Sequence, residues 1–169
     1  MAVHTIPILG ASTLPDTSGS VYQEPVALNL QANDRYPALC YVFADTGTRL
    51  VLGTTFRVPD DYVGTAKILL YWATTVTSGK VVWEFNYTSI AAGETTDPST
   101  DQEAVTSTGT TVNGTARFLA IETITLTSAN LAALDLVQCG IARDGSDATN
   151  DTAAASAYLL GAFFQYADA

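Results

Sequence analysis

From residue 26 onward the chain repeats one pattern, short runs rich in β-branched and aromatic residues separated by Gly, Pro, Asp and Asn. The runs fall at 26–30, 39–44, 50–58, 67–74, 81–88, 116–126, 136–142 and 158–166. Runs of this length and composition suit a pleated, half-buried surface and are too short and too β-branched for packed helices. They predict an all-β fold: a single jelly-roll β-sandwich of about eight antiparallel strands, a double sheet that limits exposed edges.

Alternation along individual runs supports this. In Lys80-Val-Val-Trp-Glu-Phe-Asn-Tyr87, residues Val81, Trp83, Phe85 and Tyr87 share one face, while Val82, Glu84 and Asn86 share the other. One face is therefore core. In Ala66-Lys-Ile-Leu-Leu-Tyr-Trp-Ala73 both faces are apolar beyond Lys67, which predicts a strand covered on both sides by a second sheet or a subunit partner. A single short helix is expected at Ser128-Ala-Asn-Leu-Ala-Ala-Leu134, with Ser128 as N-cap and Leu131 and Leu134 on one side.

Residues 1–25 hold Pro7, Pro15, Pro25, Gly10 and Gly19, a mixture that resists helix and interior strand alike. They are expected to form an extended N-terminal arm to a sandwich domain at 26–169. The apolar Ile6, Pro7, Ile8 and Leu9 make the start of this arm a segment suited to dock on a neighbour. A second long connection, 91–114, carries Glu94, Asp97, Asp101 and Glu103 without a base and is expected to be a functional or mobile loop.

Composition excludes several functions. The chain has 169 residues, 17 acidic against 7 basic side chains and a net charge of −10. The Lys and Arg are scattered, whereas nucleic-acid and anionic-membrane binding need grouped cations; neither partner is expected. Met1–Gly10 lacks a basic start and a sustained apolar stretch, so it does not read as a secretory signal, and cytoplasmic synthesis is the expectation. Cys40 and Cys139 sit in apolar runs and are read as buried thiols, with a single bridge between them as the alternative.

The residues that usually carry chemistry are sparse. His4 is the only histidine, which disfavours nucleophile–His–acid sets and most zinc sites. Glu84 and Glu122 lie mid-strand, and Asp60 and Asp61 follow Pro59 in a turn; no spacing selects a glycosidase pair. Asp144, Asp147 and Asp151 crowd one loop, where turn chemistry and a calcium ion both remain open. Trp72, Trp83 and the tyrosines offer a sugar-stacking platform, with Tyr62 and Tyr87 near strand ends as the contributors to consider first.

The segments Phe56-Arg-Val-Pro-Asp-Asp-Tyr62, Lys67-Ile-Leu-Leu-Tyr-Trp-Ala73, Val81-Val-Trp-Glu-Phe85, Cys139-Gly-Ile-Ala-Arg-Asp144 and Leu159-Leu-Gly-Ala-Phe-Phe-Gln-Tyr166 resemble the jelly-roll virion proteins of tailed bacteriophages. The resemblance covers about residues 50–166 and carries over no functional residue. It implies a non-enzymatic structural protein without cofactor, a homotrimeric capsid decoration (cement) protein that binds the major capsid protein on the outer surface of the virion. The expected trimer interface is Tyr71, Trp72, Phe163 and Phe164. The alternative is a receptor- or carbohydrate-binding module of a fibre or tail tip, with a glycan as partner.

Overall fold

The computed structural model of the chain describes residues 2–9, 14–15, 25–29, 37–96 and 103–168. Its strands are β1 (Val3–Pro7), β2 (Leu14–Pro15), β3 (Pro25–Asn29), β4 (Pro37–Phe43), β5 (Arg49–Arg57), β6 (Tyr62–Thr74), β7 (Lys80–Val81), β8 (Trp83–Ile90), β9 (Glu103–Thr106), β10 (Thr110–Thr111), β11 (Ala120–Thr125), β12 (Leu136–Asp144) and β13 (Ala157–Asp168). They form an all-β jelly-roll sandwich. The larger sheet runs β11-β6-β13-β4-β3, with β1 also paired to β13; the smaller runs β2-β5-β12-β8-β9, and β10 and β7 form a short ribbon. Every pairing is antiparallel.

Period-two alternation builds the core. From β6, Ala66, Ile68, Leu70 and Trp72 turn inward, and from β8 opposite, Trp83, Phe85 and Tyr87 do the same; all are buried. Trp72 meets Trp83 edge-on with ring centroids 5.9 Å apart, Phe43 meets Trp83 at 5.2 Å, and Phe56 of the smaller sheet meets Phe164 of the larger at 5.0 Å. Each such ring removes about 150–250 Å² from water, so these contacts between layers set how the sheets sit on each other.

This packing corrects half of the expected trimer interface. Trp72 and Phe164 are 1% and 0% exposed inside the chain's own core and cannot meet a partner. Tyr71 and Phe163, one position along each strand, emerge on the opposite face and are half-buried.

The start of the N-terminal segment also packs at home. Val3–Pro7 is an outer strand of the larger sheet, in register with Phe163–Ala167 of β13. Ile8, 3% exposed, enters the core; its N–H donates to the Ala162 carbonyl at 2.9 Å, and its carbonyl accepts from the Thr54 hydroxyl at 2.8 Å. Ile8 thereby links both sheets, which leaves it no surface for a neighbour. Most of residues 10–36 lies outside the described residues.

Three further expectations change. The helix at 128–134 reduces to one 3₁₀ turn at Ser128–Asn130, capped at Thr127 without a side-chain bond. Leu131 packs into the core, but Leu134 takes φ +74° and points to solvent, a conformation no helix continues through. Within 91–114, β9 and β10 replace part of the loop, although Asp97 and Asp101 lie outside the described residues. The run at 116–126 becomes strand only from Ala120.

A buried ion pair holds the end of the chain. Arg143, at the inner end of β12, is 0% exposed, and its Nε and Nη2 donate to Asp151 Oδ2 and Oδ1 at 3.0 and 2.6 Å. Its remaining donors reach the carbonyls of Phe43, Ala155 and Ala153 at 3.2, 2.7 and 2.9 Å. Asp151 also accepts from the Val82 N–H at 3.0 Å. The guanidinium is thus satisfied by the connection that leads into β13.

Removing Asp151 leaves the buried guanidinium with only the partly exposed Asp45 carboxylate, 3.6 Å away, and breaking such a buried pair costs about 3–5 kcal/mol. Asp151→Ala should therefore lower the urea-unfolding free energy by about that amount, whereas Asp147→Ala, in an exposed turn of the same loop, should change it by no more than about 1 kcal/mol. Equal effects in the two variants would show that the ion pair does not hold the loop.

Candidate functional site

The outward face of the larger sheet is where sequence and packing leave chemistry unused. Strand register sets its side chains in rows: Thr125, Lys67, Gln165 and Thr5; then Thr123, Leu69, Phe163 and Pro7; then Ile121, Tyr71 and Gly161. A polar row thus lies beside an aromatic and aliphatic one.

A bulge shapes the centre. The register of β13 against β6 shifts between Leu159 and Gly161, so Leu159 and Ala162 stay in the core while Leu160 and Gly161 sit together on the bulged stretch. Gly161 lets the Phe163 ring fold back along its own strand: a Cβ placed there would lie 2.9 Å from Cε2 and 3.4 Å from Cζ of that ring. Tyr71 meets Phe163 edge-to-face, with centroids 5.2 Å apart and planes at 73°. With Leu160, Leu119 and Arg117 these residues line a mostly apolar depression of about 430 Å³.

Arg117 is the polar element of this depression. It takes φ +61°, a left-handed conformation that favours Gly, and its N–H is tied to the Thr74 carbonyl at 2.7 Å. Among the described residues its exposed guanidinium has no carboxylate partner.

The other candidates named from sequence lie elsewhere and are already engaged. Trp83, Tyr62 and Tyr87 are buried in the core with Trp72 and cannot stack a ligand. Glu84 on the smaller sheet is bound in a fork by Arg49, at 2.6 and 3.1 Å. Glu122 projects from β11 on the same side as Ile124, toward the interior, and burial pushes its carboxyl above the ordinary value. Asp61 accepts from the Tyr166 hydroxyl at 2.9 Å.

His4 bonds to Asp168 at 3.0 Å and stacks on Tyr166, joining β1 to β13. That bond, with one from the Ala2 N–H, holds the Asp168 carboxyl below its usual range.

The three acids of the 144–151 loop also have internal partners. Asp144 accepts from Ser146, Asp147 from Thr149 and Asn150, and Asp151 from Arg143 and Val82. Turn chemistry accounts for Asp144 and Asp147 and the buried ion pair for Asp151, and among the described residues no group of three or more His, Cys, Asp or Glu converges as a metal site. Cys40 and Cys139 are not joined in a disulfide, and burial raises the Cys139 thiol.

Glu103, read as part of an acidic loop, instead accepts from the Tyr87 hydroxyl at 2.6 Å and from the N–H and hydroxyl of Thr127 at 2.9 and 2.7 Å. Burial works against its ionised form, but these bonds outweigh it and hold the carboxyl below its ordinary value.

Sequence reasoning named Tyr71 and Phe163, grouped with the buried Trp72 and Phe164, and it missed Gly161, Leu160 and Arg117. The adjacent Leu159-Leu-Gly161 was the available signal, since a Gly inside a strand pattern marks a bulge or close approach.

No family model matches the chain, and no curated protein does. Solved structures do match in fold. The K1 cleaved adhesin domain of Lys-gingipain from Porphyromonas gingivalis has 11% identity and TM-score 0.53, covering 97% of this chain and 98% of that one. The xylan-binding module CBM15 has 13% identity and TM-score 0.50, covering 99% and 97%. The enzymatically active domain of tailspike protein 4 of bacteriophage CBA120 has 10% identity and TM-score 0.47, covering 91% of this chain. The chain spans only 19% of that tailspike and 24% of another matched chain. At these identities the likeness describes the jelly-roll sandwich alone.

Gly161→Ala separates ring placement from folding. Ala fits the strand backbone, so unfolding free energy should change by no more than about 1 kcal/mol. The Phe163 ring must swing away, which should shift the ring-proton resonances of Phe163 and Tyr71; unchanged resonances would show that Gly161 does not seat the ring.

Proposed function

We propose that this protein is a non-catalytic carbohydrate-binding module, the receptor-binding part of a phage fibre or tail tip, which holds its glycan on the outward face of the larger sheet. The observation that carries the reading is the depression of about 430 Å³ built from Tyr71, Phe163, Leu160 and Leu119 on this face. A pyranose ring presents apolar C–H faces and a polar rim. Aromatic rings fit the first, and the neighbouring row of Lys67, Gln165, Thr125 and Thr5 can serve the second. Glycoside hydrolysis needs a carboxylate pair across the bond, whereas the strand positions of this face carry no acid among the described residues.

The second reading, a trimeric capsid decoration protein that binds the major capsid protein, is favoured by a different feature. Phe118 and Leu119, just before β11, and Ile121 within it are half-exposed at this edge of the larger sheet, and an apolar sheet edge is a ready surface for protein association. Sedimentation of the full chain together with undecorated capsids tests it. A monomer that leaves capsids uncoated would discard it.

The carbohydrate reading predicts that the protein retains specific spots on a glycan array. Calorimetry with the retained glycan should show Phe163→Ala and Tyr71→Ala each weakening binding about 10-fold, equivalent to about 1.4 kcal/mol, with the folded spectrum intact. Wild-type affinity in both variants would remove the reading.

A further inference from the structure

Charge on the outward face runs against the charge of the chain. The protein carries 17 acidic and 7 basic side chains. Yet among the described residues the outward strand positions of β1, β6, β11 and β13 place Lys67 there and no acid, while Arg117 lines the depression. Most acids with printed contacts are engaged elsewhere, as with Asp151 under Arg143, Glu84 under Arg49 and Glu103 under Tyr87. A face without acids spares an anion the nearest repulsion in a chain of this charge.

Arg117 is also held ready. A hydrogen bond from its N–H to the Thr74 carbonyl fixes its backbone in a left-handed conformation where Gly would sit with less strain. Its guanidinium has no partner among the described residues and lines the same depression as Tyr71 and Phe163. A planar fork of N–H donors matches a carboxylate in two parallel bonds, and an apolar floor strengthens that pairing by excluding water on one side.

We infer that the glycan is acidic: a uronic-acid unit stacks on Phe163 and Tyr71 while its carboxylate pairs with Arg117. This inference rests on the carbohydrate-binding reading and adds the substrate class. Neutral sugars would use the same rings but leave Arg117 without its ion pair. One charge-assisted fork is worth about 10-fold or more in affinity.

The experiment uses the full chain and calorimetry with tetramers of galacturonate, glucuronate and mannuronate, each compared with its methyl ester. Esterification keeps the rings and removes the charge. At least one free acid should bind about 10-fold tighter than its ester, the difference should shrink with added salt, and Arg117→Gln should abolish it. Arg57→Gln, on the exposed rim of the smaller sheet, should keep it.

Equal binding of acid and ester, or a preference that survives Arg117→Gln, would overturn the acidic-glycan inference while leaving carbohydrate binding in place. If none of these tetramers binds but neutral glycans do, the inference falls in the same way. Failure of every neutral and acidic glycan to bind would overturn the carbohydrate reading and the inference together. Circular dichroism of Arg117→Gln, matched to the parent, keeps loss of folding from counting as loss of preference.

Discussion

A buried charge organises the far end of this sandwich. Arg143 is enclosed at the inner end of β12, where its desolvation is offset by the Asp151 fork and three carbonyls. Those carbonyls belong to Phe43 at the end of β4 and to Ala153 and Ala155 just before β13. One side chain of the smaller sheet therefore sets where the last strand of the larger sheet begins. Everything on the outward face that depends on β13, including the bulge at Leu160 and the ring of Phe163, follows from that starting point.

The face itself is a consequence of strand periodicity. A strand cannot hide two successive large side chains on one side, so Trp72 and Phe164 enter the core and Tyr71 and Phe163 emerge opposite them. Pairing through β6 and β13 then sets the two outward aromatics in adjoining rows. The bulge adds the local relief: its extra residue lets Leu159 and Ala162 both stay in the core while Leu160 and Gly161 line the depression.

Electrostatics gives the two sides of the molecule different roles. Carboxylates are used as internal fasteners at the sandwich ends, by Arg143, Arg49 and the hydroxyls around Glu103. The outward face instead carries rings, hydroxyls and, among the described residues, Lys67 and Arg117 without a carboxylate partner. This separation is the physical basis for reading that face as a binding surface and the ends as structural ties.

Much of the fold was legible before the structure. The alternation in Val81, Trp83, Phe85 and Tyr87 placed their ring faces in the core, and β-branched runs bounded by turn residues marked the long strands within a few residues. Short-range patterns carry that information because side-chain direction in a strand depends only on residue parity. The N-terminal segment was misjudged because Pro7 argued against an interior strand, whereas an outer strand with a free N–H side tolerates it.

The sequence by itself determined an acidic all-β sandwich, poor in catalytic side chains, with more aromatic strand residues than one core face can take. Only the tertiary structure decided which aromatics were left outside, that Arg117 lines the same depression, and that Arg143 and Asp151 are partners in the core. Those outcomes depend on cross-strand register and on a one-residue bulge, and both are fixed by contacts between segments far apart along the chain.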